Sequence, residues 1–193
     1  MGILRKIFQT YENSRLKKVA RMCGPGSVLD VGYAHMPNPY FSSRERVGLD
    51  LEKPRGDLRY EEELIGDATK LEDSIGGRQF DNIVAGEFIE HIEQPYEFLR
   101  SLQPYIKPGG QLIISTPNPV GWPCLLFEWF LSRKFFFAKN HTYYFPPRWV
   151  VRMLEDSGYK VEQVQGVGFW MPGITIPMFP SLCYQVIFRA IPK

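Results

Sequence analysis

The chain has 193 residues, of which 44% are hydrophobic and 23% charged. That is an ordinary globular balance, and it excludes disorder, collagen-like repeats and coiled coil. Lys and Arg number 23 against 21 Asp and Glu, a net charge of +2, which excludes a nucleic-acid binder held by bulk charge. The length suits a single domain, 1–193, with a sizeable core.

Residues 1–22 read as an amphipathic helix. Ile3, Leu4, Ile7, Phe8 and Tyr11 fall on helical spacing, and Arg15, Lys17, Lys18 and Arg21 read as a solvated basic face. Charge throughout this segment argues against a signal peptide. After the break at Gly24-Pro25-Gly26 come five short apolar runs: Ser27–Gly32, Arg46–Asp50, Leu64–Asp67, Phe80–Ala85 and Gln111–Ser115. Runs apolar on both faces predict a parallel sheet covered by helices. Pro95–Leu102 predicts a helix with Phe98, Leu99 and Leu102 turned inward. Pro146–Leu154 predicts another, closed by Ser157-Gly158. Lys160–Val167 and Ser181–Arg189 complete about seven strands, the last antiparallel. The link from Leu51 to Glu63 is near the shortest a parallel crossover allows, so it holds either one helical turn or irregular chain. The fold class is therefore α/β, a Rossmann-like open sheet with helices on both faces.

In such a sheet, ligands bind outside the carboxyl ends of the strands, near the point where strand order reverses. Asp30 and Gly32 stand at the end of the first run, Asp50 at the second, Asp67 after the third, and Gly86-Glu87 after the fourth. A carboxylate about 20 residues past the first glycine turn is placed to accept from both hydroxyls of a ribose, and Asp50 stands there. Asp67, followed by Ala68, is placed to meet an adenine amine. Gly32 lets backbone approach a ligand closely. Each acid also has a plain structural reading as a turn or helix cap.

The ordered pieces VLDVGYAHMPNPY, VGLDL, IGDATKLE, FDNIVAGEFIEHIEQP, LRSLQPYIKPGGQLIISTPNP and HTYYFPPRWVVRMLEDSGYKV resemble class I S-adenosylmethionine-dependent methyltransferases. The nearest subset is the small-molecule, ubiquinone-biosynthesis type, and the resemblance covers roughly residues 25–168. It implies S-adenosylmethionine as cofactor. By the resemblance, Asp30, Gly32 and the loop residue Tyr33 lie at the methionine part. Asp50 holds the ribose and Leu51 lies against adenine, which Asp67 and Ala68 read. Gly86, Glu87 and Phe88 lie beneath the sulfonium, and His91 starts the helix beyond. One departure stands out. The family's D-x-G-x-G-x-G loop keeps only Gly32 here, with Ala34 and Met36 at the later glycine positions. A left-handed Ala34 would cost about 1 kcal/mol or more.

Methyl transfer needs alignment and desolvation, and for an oxygen or nitrogen acceptor also a proton acceptor. Of His35, His91 and His141, the last follows the apolar segment and precedes the late helix, where related sequences often carry a histidine facing the acceptor, so the resemblance makes it the catalytic candidate, as base or substrate ligand. No metal is expected. Segments 119–145 and 169–181 carry the aromatic residues of a substrate pocket, which suits a small aromatic or lipid-linked acceptor taking a methyl on oxygen or nitrogen. A nucleic-acid acceptor is not expected, because Ala85-Gly86-Glu87-Phe88 replaces the signature of base-amino methyltransferases. The rival reading is an inert module of the same fold that binds the cofactor or a protein partner. Three dispersed cysteines, Cys23, Cys124 and Cys183, suit a reducing, cytoplasmic setting. Peripheral membrane contact by the first aromatic-basic stretch is the lesser reading.

Overall fold

Most of the runs read as strands pair where they were expected. In a computed structural model describing residues 2–43, 45–54, 56–122, 124–125, 141–171, 174–176 and 178–193, five parallel strands form one side of the sheet. They are β1 (Val28–Val31), β2 (Arg46–Asp50), β3 (Glu62–Ile65), β4 (Phe80–Gly86) and β5 (Ile106–Pro117). Two later strands, β6 (Tyr159–Gly166) and β9 (Gln185–Pro192), complete a sheet of order β3-β2-β1-β4-β5-β9-β6. β9 runs antiparallel to both its neighbours. Between β6 and β9 lies a separate two-stranded ribbon, β7 (Phe169–Met171) with β8 (Ile174–Ile176), which the sequence reading missed.

Alternate residues divide the strands between two cores. Leu29, Leu49, Ile83, Leu112, Ile114 and Phe188 face the larger one. There α2 (Leu71–Ile75), α3 (Pro95–Leu102) and α4 (Pro147–Asp156) bury their apolar stripes. α3 and α4 begin with proline at the first helical position, where its missing N–H costs nothing. The hydroxyl of Tyr159 donates to the Leu99 carbonyl at 2.8 Å and fastens β6 to α3. Val28, Val84, Ile113 and Ile187 face the smaller core, closed by Tyr11, Val19 and Met22 of α1 (Gly2–Met22). Covering both faces is what a parallel sheet requires.

Three expectations need correction. The last strand begins at Gln185, not Ser181, because Pro180–Leu182 forms a 3-10 turn first. The fifth strand starts earlier than Gln111, at Ile106. The register shift between Phe80 and Asn82 lets Lys107–Gly110 bulge out of the ladder. The basic face of α1 is not simply solvated. Arg15 is buried, and the Lys18 ammonium donates to the carbonyls of Gly166 and Val167, both at 2.9 Å. The side chains of Ile3, Leu4, Ile7 and Phe8 lie outside the described residues, as does residues 126–140 of the expected 119–145 insertion. The short β2–β3 link resolves as irregular chain whose Tyr60 is buried. Among the described residues no helix is long and apolar enough to cross a membrane.

Candidate functional site

β1 pairs with β2 on one side and β4 on the other, so the chain leaves β1 and β4 in opposite directions. A cavity of about 620 Å³ opens above their carboxyl ends, well within the size range of small-molecule sites. All eleven residues expected to bind cofactor line it: Asp30, Gly32, Tyr33, Asp50, Leu51, Asp67, Ala68, Gly86, Glu87, Phe88 and His91. The catalytic candidate His141 does not line it. Its ring stands edge-on to His91, with centroids 4.7 Å apart.

The floor is the turn after β1. Gly32 has φ +74°, and a Cβ there would come within 2.4 Å of the Phe88 ring. Only glycine fits on both counts. The next residues are built without further glycine. Ala34 avoids the left-handed region, which among the described non-glycine residues only Glu87 occupies, at φ 53°. The strain expected of Ala34 is therefore absent. Its N–H donates instead to Asp50 Oδ2 at 2.9 Å, so the loop hangs from the carboxylate at the end of β2. The Tyr33 ring, in the cavity wall, stacks on Tyr60 with centroids 5.1 Å apart. Asn38 then anchors the loop to α1, donating to the Leu16 carbonyl at 2.9 Å. The Asn38 N–H donates to the Tyr60 hydroxyl at 2.6 Å, which donates on to Asp30 Oδ2 at 2.7 Å. The missing glycines are thus replaced by a hydrogen-bonded brace.

Asp30 is buried. Desolvation pushes its carboxyl up to about 7 against the opposing pull of the Tyr60 bond and Arg15. Asp50 accepts from Ala34 N and, at 3.3 Å, from Glu52 N, with lone pairs left for a diol. Asp67 is exposed and spends Oδ1 on Thr69 N and Oγ1, at 2.9 and 2.7 Å. Those bonds hold its pKa below the usual carboxylate range. The capping reading is thus true of Asp67 even though it lines the cavity. Leu51 is 70% exposed on the lip, an apolar surface open to a ligand.

Sequence reasoning missed the opposite wall. α1 lays Glu12 and Arg15 across the cavity. The Arg15 guanidinium pairs with Glu12 at 2.8 Å and donates to Ser115 Oγ at 3.1 Å. It lies so close to Gly86 that a Cβ there would stand 2.9 Å from Nη1. Gln185 Nε2 donates to both Glu12 and Glu87 at 2.9 Å, joining α1, β4 and β9. Desolvation pushes Glu87 up despite Arg15. Its left-handed backbone costs roughly 1–2 kcal/mol, strain of the kind that collects at functional sites. The only sequence signal for this wall was the basic half of α1.

His91 closes a 3-10 turn, Ile89–His91, and does not begin α3, which starts at Pro95. In that turn Glu90 is fully buried and accepts from Thr116 Oγ1 at 3.2 Å. Its backbone carbonyl accepts from Thr142 N and Tyr143 N at 2.9 and 3.1 Å, which brings His141 back over the turn. Desolvation, then the neighbouring His91, lower the His141 pKa.

The site thus offers acids for a diol and a base edge, an apolar lip, and a buried cation among carboxylates for a zwitterionic tail. A family model described as "Methyltransferase domain" matches residues 8–164. A ubiquinone biosynthesis O-methyltransferase of Rickettsia bellii (strain OSU 85-389) is 32% identical over 108 residues, 52% of this chain and 44% of that protein. The Schizosaccharomyces pombe mitochondrial enzyme of that name is 40% identical over 57 residues, 28% of this chain and 21% of its own. The chain spans less than half the length of these curated relatives. A solved SAM-dependent methyltransferase from Thermotoga maritima superposes with TM-score 0.69 at 18% identity, covering 98% of this chain and 94% of its own.

Proposed function

The chain belongs to the methyltransferase-domain family, the class I S-adenosylmethionine-dependent methyltransferases, and from that premise we propose that it methylates a small, apolar acceptor. The observation that carries the reading is convergence: carboxylates from β1 and β2, and the one after β3, meet Arg15 of α1 around a single cavity. When bound, S-adenosylmethionine supplies an electrophilic methyl on a sulfonium. In this reading Asp50 accepts from the ribose hydroxyls. Leu51, Asp67 and Ala68 line the adenine end, and Arg15 faces the donor's carboxylate. Asp30 and Glu87, with Gly32, Gly86 and Phe88, enclose the cationic part. The residues fit that group, because a buried guanidinium beside three acids matches a ligand carrying both charges.

The acceptor end lies past Phe88 and His91. His141 stands there with a lowered pKa, a neutral imidazole with a lone pair to give. The relatives named for ubiquinone biosynthesis support oxygen as the acceptor atom and an apolar or lipid-linked substrate. The braced loop after Gly32 removes the main motive for an inert module.

Calorimetry with S-adenosylhomocysteine tests the reading. We expect micromolar binding, weakened roughly tenfold or more, about 1.4 kcal/mol, by Asp50→Ala. No heat with the wild-type chain at millimolar ligand would refute it.

A further inference from the structure

We infer that Tyr60, which stands outside the cavity, is a positioning residue for the methyl donor and acts through Asp30. Asp30, Tyr33 and Asn38 line the cavity, whereas Tyr60, which touches all three, is not part of its wall. The Tyr60 hydroxyl contacts Asp30 Oδ2 at 2.7 Å and accepts from Asn38 N at 2.6 Å. A phenol has one proton to give. The Asp30 carboxylate takes it, because the Asn38 carbonyl stands farther off, at 3.4 Å, and a charged acceptor makes the stronger bond. Burial, then the Asp30 charge, push the Tyr60 phenol above its ordinary range, so the proton stays on Tyr60.

The ring is held to this task from several sides. Tyr60 is buried, with the Tyr33 ring stacked on it at 5.1 Å and the Phe41 ring tilted against it at 6.2 Å. The Arg46 guanidinium lies 5.3 Å from its centroid, and is itself forked onto Glu61 by bonds of 2.9 and 2.7 Å. Tyr33 reaches Tyr60 because β2 has glycine at position 48, where a Cβ would stand 2.4 Å from the Tyr33 ring. The irregular link between β2 and β3 thus carries an aromatic clamp whose polar end meets Asp30.

The consequence falls on donor binding, and it rests on the methyl-transfer reading, in which Asp30 helps enclose the cationic part of S-adenosylmethionine. A bond donated to a carboxylate favours its ionised form. Desolvation pushes Asp30 up to about 7, opposed by the Tyr60 bond and Arg15 and assisted by Asp50. Without the hydroxyl, Asp30 would keep its proton to higher pH and serve a cation less well. The other charged groups around it are Arg15 of α1, Asp50 at the end of β2 and, on the same cavity, Glu87 after β4. Cys23 beyond α1 and the Tyr33 phenol also feel the Asp30 charge. Tyr60→Phe leaves every one of these groups in place.

The test is calorimetric titration of S-adenosylmethionine into the full chain, Tyr60→Phe, Asp30→Asn and the double variant, at about pH 6 and about pH 8.5. The affinity ratio of wild type to Tyr60→Phe is expected to be roughly five- to tenfold larger at the lower pH, the worth of one hydrogen bond to a charged group. Loss of the Asn38 bond alone weakens binding by one factor at both pH values, so a ratio independent of pH would overturn the inference. In the Asp30→Asn background the effect of Tyr60→Phe should be the same at both pH values, and a pH-dependent effect there would overturn it too. If Tyr60→Phe does not fold, the stranded Asp30 charge is the cause, and the double variant must fold. A double variant that also stays unfolded overturns the inference. A wild-type chain that binds no S-adenosylmethionine at either pH would refute the methyl-transfer reading itself, and the inference with it.

Discussion

Gly32 shows how much one residue decides. Its φ of +74° and the Phe88 ring 2.4 Å from a built Cβ are independent obstacles to any side chain. Gly32→Ala is expected to cost about 2 kcal/mol or more in urea unfolding, from the left-handed backbone plus the clash. Phe88→Ala removes the clash but also the packing of that ring on Phe98, so the double variant should lose less than the sum of the two single variants. Asp30 makes a second residue-scale case. Its folded pKa of about 7 lies above the ordinary value of 3.8. The folded chain therefore binds more protons than the unfolded one between those pH values, and stability falls as pH rises from about 4 to 7. Asp30→Asn retains an oxygen to accept from Tyr60 and has no charge to bury. Thermal unfolding across that range should show a flatter pH dependence in the variant, by an amount on the order of a few kcal/mol. An equal slope in both proteins would refute the assignment.

At the scale of elements, α1 is more than a cover for the sheet. It buries Tyr11, Val19 and Met22 in the smaller core and extends Glu12 and Arg15 into the cavity. Arg15 stands among buried acids: desolvation lowers its pKa, but the pull of Glu87, Glu12 and Asp30 raises it overall. Arg15→Met should therefore destabilise the fold by roughly 3 kcal/mol or more, since it strands buried charge. It should also weaken S-adenosylhomocysteine, while Arg15→Lys keeps much of the stability but loses the forked contact to Glu12 and Ser115. Denaturant melts beside calorimetry separate the two effects. The helix itself was legible from its spacing. Its role was not, because nothing local distinguishes a basic residue facing solvent from one facing a carboxylate brought by another strand.

At the scale of the molecule, the sheet order sends the chain away from the paired strands β1 and β4 in opposite directions, and the crevice opens above their carboxyl ends. Asp30 and Glu87 lie on its rim, and burial raises both. A cationic donor favours their ionised forms, so its binding should tighten as pH rises through about 7. Asp30→Asn should reduce that dependence, measured by calorimetry on either side of neutrality.

The sequence by itself determined the strand runs, the proline-led helices and the acids at strand ends, because each is written in side chains a few residues apart. Asp50 and Gly32 could be expected at one cavity before any coordinates, since an acid ending the second strand and a glycine turn after the first have fixed spacing along one βαβ-like unit. Only the tertiary structure decided that Arg15 meets Ser115 and Gly86, that Tyr60 and Asn38 brace a loop short of glycine, and that His141 returns to Glu90 and His91. Those contacts join segments far apart in the chain. Their partners are chosen by how the packed layers close on one another, and no local pattern of residues encodes that.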